Sequence, residues 1–344
     1  MILKFHFIEV LRFITSFAVI IRHYHFFFFP RYSFSTVQVL SDPSIQPFYF
    51  LLQIFYLNGD YAVPIFWGIS GFIFALVYLE QRKNITGKQF FFNRFARLYP
   101  LHFLTLMIVA MAQVLNFYIL GNHQIVGNND FLRFFQNLLF INGWDGQSYN
   151  LPVWSVSVEI IIYFAFFISI FQLNKFGFKY ALLIYLISLL IDKFAFSSMF
   201  IDCFRLFFTG VLIYYLNSSI KKKIILIPCS IILLLLSFIG NFKIFLFTPG
   251  ILLFFISLEY FIKSEKKKVL DCFGNLTYSM YLLHIPTMLI IILFFYTFNI
   301  SDTLFLNNYF FILYISFILF ISFISYKYFE KPLNKYVRNK FLKN

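Results

Sequence analysis

The sequence predicts an all-α polytopic membrane protein, with about ten transmembrane helices around a central cavity and both termini cytoplasmic. Three observations carry this expectation. Apolar residues make up 61% of the 344 residues, and the mean hydropathy is +0.80, which excludes an ordinary soluble domain. Apolar runs long enough for a hydrocarbon core of ~30 Å recur along the whole chain. Lys and Arg gather in alternate short loops between those runs, which is the positive-inside pattern.

In chain order the expected spans lie at 5–29, 61–80, 98–119, 153–172, 177–192, 203–217, 223–240, 244–262, 277–297 and 309–329. The sixth is short enough to be tilted or broken. Apolar segments at 45–57 and 131–141 are too short to span and read as interfacial or re-entrant. With the N-terminus inside, the inner loops hold Lys4; Arg82, Lys83, Lys88, Arg94 and Arg97; Lys175 and Lys179; Lys221, Lys222 and Lys223; Lys263, Lys266, Lys267 and Lys268; and the tail from Lys327 to Lys343. The outer side holds Arg31, Arg133, Lys193 and Lys243. The expected location is the inner (cytoplasmic) membrane. The chain reads as one transmembrane domain, 1–344, with no fused soluble domain.

The net charge of +14 would suit a nucleic acid, but it is spread over loops rather than gathered on one face, so no nucleic-acid partner is expected. Cys203, Cys229 and Cys272 lack metal-ligand spacing, and neither a zinc site nor a disulfide framework is expected. The first apolar run is too long for a cleavable signal peptide and lacks a small-residue cleavage site.

That first run, Phe5 to Phe29, carries Glu9, Arg12, Arg22, His23 and His25. An ionisable group in hydrocarbon is costly and is kept where it faces a cavity or a partner. Eleven helical steps from Arg12 to His23 turn through about 1100°, about 20° past three turns, so both share a stripe roughly 16 Å apart. An anion grip at one depth and a proton acceptor at another is one reading. The other pairs Arg12 with Glu9 at i+3 and leaves His23 a hydrogen-bonded structural residue.

Further along, Gly68, Ser70 and Gly71 are small residues that admit a close approach by another helix or a ligand. Arg94 and Arg97 share a helical face, a spacing that suits a phosphate or pyrophosphate and that topology also explains. The loop at 120–152 holds Gly121, Asn122, His123, Gly127, Asn128, Asn129, Asp130, Asn142, Gly143, Trp144, Asp145, Gly146 and Gln147. Such residues suit a sugar and equally suit turns. Glu159 lies about two turns into an apolar helix, four residues after Ser155, and needs a cationic or protonic partner such as Arg12, His23 or Arg205. Tyr281 and His284 are i+3 neighbours that line a cavity or form a core pair. Pro332 is expected to stop the last helix.

In order and spacing these pieces resemble acyltransferase family 3, membrane proteins that acylate surface sugars. The matching blocks are Leu11-Arg12 through His23; Phe66 to Phe72; Arg94-Phe95-Ala96-Arg97 with Tyr99-Pro100; Trp154-Ser155 to Glu159 with Tyr163; Tyr278 to His284; and Glu330-Lys331-Pro332. The resemblance covers nearly the whole chain. One departure is that Ile160-Ile161 follow Glu159, where the family usually has a second acidic residue and a Gln.

The resemblance implies an O-acyltransferase, most simply an O-acetyltransferase. Its donor is cytoplasmic acetyl-CoA or another acyl-CoA, bound as a substrate and not as a permanent cofactor. Its acceptor is a hydroxyl of a cell-surface or lipid-linked saccharide, as in polysaccharide biosynthesis at the cell envelope. His23 would be the general base or a transient acyl carrier, with Glu159 orienting the imidazole. Arg12, Arg94, Arg97 and Ser70 would bind the donor, and Tyr281 and His284 would line the cavity. A second reading is a transporter or flippase for a polysaccharide precursor, against which the sequence shows no internal repeat and no paired broken helices.

Overall fold

The computed structural model describes residues 5–28, 42–79, 85–127, 129–142, 148–194, 198–239, 243–261 and 270–342, with the backbone alone for Lys193 and Phe194. Lys4, Arg31, Arg82, Lys83, Asn128, Gly143 to Gln147, Lys263 to Lys268 and Lys343 lie outside the described residues.

Every regular element among the described residues is helical. The α-helices are α1 (His6–His23), α2 (Tyr49–Asn58), α3 (Ala62–Tyr78), α4 (Gly87–Leu120), α5 (Phe131–Leu138), α6 (Val153–Phe176), α7 (Phe178–Phe194), α8 (Met199–Ser219), α9 (Leu226–Ser237), α10 (Lys243–Phe261), α11 (Asp271–Thr297), α12 (Asn308–Ser325) and α13 (Lys331–Leu342). Among the described residues, seven helical stretches are long and apolar enough to cross a bilayer: Tyr49–Tyr78, Gly87–Leu120, Val153–Phe176, Met199–Ser219, Lys243–Phe261, Asp271–Thr297 and Asn308–Leu342. The other three expected spans also fall on helices. They are α1, diluted by Glu9, Arg12 and Arg22; α7, of 17 residues; and α9, of 12 residues.

Two short segments resolve differently. The one expected at 45–57 runs into the next span, through the 3-10 turn Gly59–Tyr61 that joins α2 to α3. The other becomes α5, whose Phe131 and Leu132 are exposed. Pro332 does not end a helix. It sits at the second position of α13, where a missing N–H is tolerated, and the π-turn Tyr326–Glu330 joins α12 to α13.

Helix ends follow ordinary chemistry. Asp130 caps α5 by accepting the Arg133 N–H at 2.8 Å, and Asn307 caps α12 by accepting the Tyr309 N–H at 2.7 Å. Gly177, at φ 60°, closes α6 and lets α7 start at the next residue. The first turn of α1 is served from another helix, because Glu259 on α10 accepts the Phe7 N–H at 3.2 Å.

The chain divides into two compact units: Met1–Thr15, Asp60–Gly87 and Val158–Asn275; and Ser16–Gly59, Lys88–Ser157 and Leu276–Asn344. In the first unit α3 packs along α8, α9 along α10, and α7 along α8. A Cβ on Gly71 would overlap the Phe207 carbonyl, and one on Gly210 would overlap the Gly68 carbonyl. The glycines therefore serve helix packing, with the α3 and α8 backbones in direct contact. Arg205 on α8 is buried and pairs with Asp192 on α7 at 2.6 Å, its guanidinium 4.3 Å from the Phe245 ring centroid. Arg205, offered by the sequence as a partner for Glu159, thus pairs with Asp192.

A side chain forced into the α3–α8 contact should push the backbones apart. Gly71→Leu is expected to cost about 1–3 kcal/mol, read as a lower melting temperature in detergent. Gly127→Ala, where a Cβ meets nothing, should stay within about 0.5 kcal/mol of wild type.

Candidate active site

His23 is the last residue of α1, after which the chain tightens into the 3-10 turn Tyr24–Phe28. This change of pitch leaves carbonyls without helical partners, and His25 Nδ1 sits 2.5 Å from one of them, the Arg22 carbonyl. Arg22 itself donates to the Tyr56 carbonyl at 3.1 Å. Ser16 donates to the Thr277 carbonyl at 3.0 Å, fixing this part of α1 against α11.

On α11 the partner of His23 is His284. His23 Nδ1 lies 2.9 Å from His284 Nε2, and His284 Nδ1 lies 3.1 Å from the Met280 carbonyl. A carbonyl only accepts, so His284 Nδ1 carries the hydrogen. For the neutral ring, His284 Nε2 is then a lone pair, and His23 Nδ1–H donates to it. The remaining lone pair of His23 is on Nε2. His284 is fully buried and His23 partly so. The Tyr314 hydroxyl holds the His284 backbone through its carbonyl at 3.2 Å.

Tyr281 stands beside this pair, its ring centroid 6.4 Å from that of His284. The Tyr281 hydroxyl is 2.8 Å from Ser155 Oγ and donates to the Pro152 carbonyl at 3.1 Å. Ser155 thus meets Tyr281. Pro286 lies inside α11 and has no N–H, which frees the Leu282 carbonyl four residues earlier. Buried Asn150 fills that vacancy, its Nδ2 donating to the Leu282 carbonyl at 2.8 Å. Asn150 carries a role that the sequence reading did not assign. The signal for it was a proline inside an apolar helix, which implies an unpaired carbonyl and a donor somewhere to meet it.

Polar residues of the 120–152 loop mostly hold the loop itself. Gln113 clamps the Gln124 backbone, accepting its N–H at 3.0 Å and donating to its carbonyl at 2.6 Å. Asn137 accepts the Tyr149 N–H at 3.2 Å, and Asn142 bonds both Ser148 and Ser157. Burial and the Asp130 charge push the Tyr149 phenol above its ordinary value, with Arg133 opposing.

Arg12 is held by Glu9 at 2.9 Å, the i+3 pair that the spacing allowed. Gly274 leaves room for the Glu9 carboxylate, where a Cβ would overlap it. Glu159 is buried on α6. Ser70 is partly buried on α3. Arg94 is partly buried and Arg97 exposed, both in the first half of α4. Of the expected site residues, the structure joins His23 to His284 and places Tyr281 beside His284. Among the described residues it shows no cluster of three or more His, Cys, Asp or Glu side chains able to hold a metal.

Fold and site together define a helical polytopic membrane protein with a hydrogen-bonded histidine pair within it. The chain belongs to acyltransferase family 3, whose model, described as an acyltransferase domain, matches residues 5–327. It is similar to acyltransferase MdmB of Streptomyces mycarofaciens, 28% identical over 113 residues, a stretch that covers 31% of this chain and 27% of that relative. No solved structure matches the chain.

If Asn150 serves the carbonyl that Pro286 frees, its loss should be reparable on α11. Asn150→Leu is expected to destabilise by about 1–3 kcal/mol. Adding Pro286→Ala, which restores an N–H for Leu282, should recover most of it. Purely additive melting shifts in the double variant would contradict the pairing.

Proposed function

We propose that the protein is an acyl-CoA-dependent O-acyltransferase of the inner membrane. It would move an acetyl or similar acyl group from cytoplasmic acyl-CoA to a hydroxyl of a cell-surface or lipid-linked saccharide. The observation that supports this most is the His23–His284–Met280 chain, which leaves His23 Nε2 as a lone pair on a partly exposed ring.

In this scheme His23 Nε2 takes the proton of the acceptor hydroxyl as its oxygen attacks the thioester carbonyl. The tetrahedral intermediate collapses, the C–S bond breaks, and the Nε2 proton passes to the departing thiolate. His284 orients the ring and accepts the Nδ1–H throughout, as the carboxylate does in hydrolase triads. We assign to His284 the orienting role that the resemblance implies for Glu159. The same Nε2 is the atom that would carry an acyl group in a two-step transfer.

Donor binding falls to the arginines. Arg94 and Arg97 hold phosphate oxygens. Arg12, with one edge of its guanidinium fixed by Glu9, has further N–H donors for a pyrophosphate. Its separation from His23 along α1, about 16 Å, is comparable with an extended pantetheine arm. Ser70 lines the donor path, while Tyr281 and the fully buried His284 back the ring of His23 rather than lining an open cavity.

Purified protein in nanodiscs, given acetyl-CoA and a saccharide acceptor, should release CoA and acylate the sugar. His23→Ala should lower this rate by about 10²–10⁴-fold while the protein still inserts and melts normally. Full activity in that variant removes the base from the scheme, and a wild type inert toward every acyl-CoA tested sinks the enzyme reading.

A further inference from the structure

Among the described residues, the two longest helical stretches run well past the thickness of a bilayer. Gly87–Leu120 has 34 residues and Asn308–Leu342 has 35. At about 1.5 Å per residue each runs roughly 50 Å, against a hydrocarbon core of about 30 Å. The apolar parts, 101–120 and 308–325, account for the core. The surplus carries the basic residues and lies at the same end of both helices, because Phe92 of α4 stacks flat on Phe341 of α13, with centroids 4.5 Å apart and planes 6° apart.

The pair forms a projection with a consistent charge. Residues 87–100 carry Lys88, Arg94 and Arg97, and 331–342 carry Lys331, Lys335, Arg338 and Lys340, with no Asp or Glu in either stretch. Lys331, Lys335 and Arg338 fall at i, i+4 and i+7, one exposed face of α13. Leu333, Val337 and Phe341 fall at i, i+4 and i+8 on another stripe, the one whose Phe341 meets α4. At the base, Glu330 accepts a hydrogen bond from Ser279, and the Tyr278 hydroxyl donates to the Leu98 carbonyl at 2.6 Å. Both bonds brace α11 against the two long helices. Tyr336 and Phe91 offer exposed rings, 59% and 48% accessible.

From this geometry we infer that the α4–α13 projection docks the far end of the acyl donor, its adenosine with the 3′-phosphate. The inference rests on the acyl-CoA reading above. Topology accounts for cations at the inner face, but not for a braced two-helix support carrying seven of them against the Glu330 at its base. Distance favours a soluble polyanion over lipid. Lys335 and Arg338 lie about 15 and 20 Å beyond Ser325, the end of the apolar stretch, along the helix, whereas a headgroup layer is roughly 5–8 Å deep. The exposed rings suit an adenine face.

The test uses the full chain in phosphatidylcholine nanodiscs and the double charge reversal Lys335→Glu with Arg338→Glu. The KM for acetyl-CoA should rise about tenfold at unchanged kcat, and adenosine 3′,5′-bisphosphate should bind about tenfold more weakly, an effect that fades with salt. Transfer from acetyl-pantetheine, which lacks the nucleotide, should be unaltered. Unchanged constants for acetyl-CoA and the bisphosphate would overturn the inference. So would a KM change that appears only when anionic lipid is added, since the surface would then serve headgroups. A wild type that turns over no acyl-CoA yet binds the bisphosphate through these two residues would sink the enzyme reading and uphold the docking surface.

Discussion

An imidazole inside a membrane protein must find a partner for its N–H, and the candidate site follows from how His23 meets that demand. Water is scarce there, so an unsatisfied donor costs several kcal/mol or more, of the order of ~2–7. His23 gives its Nδ1–H to His284, which in turn spends its own N–H on the Met280 carbonyl. Each step fixes the next tautomer. A backbone carbonyl on α11 thereby determines which nitrogen of a residue on α1 keeps a lone pair. No carboxylate is needed to set that orientation, and the arrangement remains neutral until a proton arrives.

The same demand shapes the surroundings. Pro286 interrupts α11 one turn past the Leu282 carbonyl, and Asn150 answers it. Tyr314 and Tyr281 each spend a hydroxyl on backbone carbonyls, at His284 and at Pro152. In the first unit, Arg205 is buried with Asp192 for the same reason, and glycines at 71 and 210 bring α3 and α8 together closely enough that no side chain fits between. Polar satisfaction and close backbone contact do here what a hydrophobic core does in water.

The helices were legible in the sequence because the bilayer imposes their length and composition, and each expected span falls on a helix. Local pairs were legible too. Glu9 and Arg12 at i+3, and Tyr281 beside His284, need only helical geometry. Pairings between distant segments were not. His23 and His284 are 261 residues apart, and nothing local selects His284 over Glu159 as the group that meets Nδ1. The small residues at 68 and 71 announced a close approach but did not say that α8 makes it. Pro332 read as a stop because proline usually ends helices, yet at the second position of α13 its missing N–H is harmless.

The most direct test is the tautomeric state of His23. Full-length protein labelled with ¹⁵N-histidine, reconstituted in lipid, and assigned by comparison with a His284→Asn sample, reports which ring nitrogen carries the proton. The account predicts hydrogen on Nδ1 of both His23 and His284 at neutral pH, with a bare Nε2 on His23. Hydrogen on His23 Nε2 would contradict it, for the ring would then have no lone pair facing the substrate.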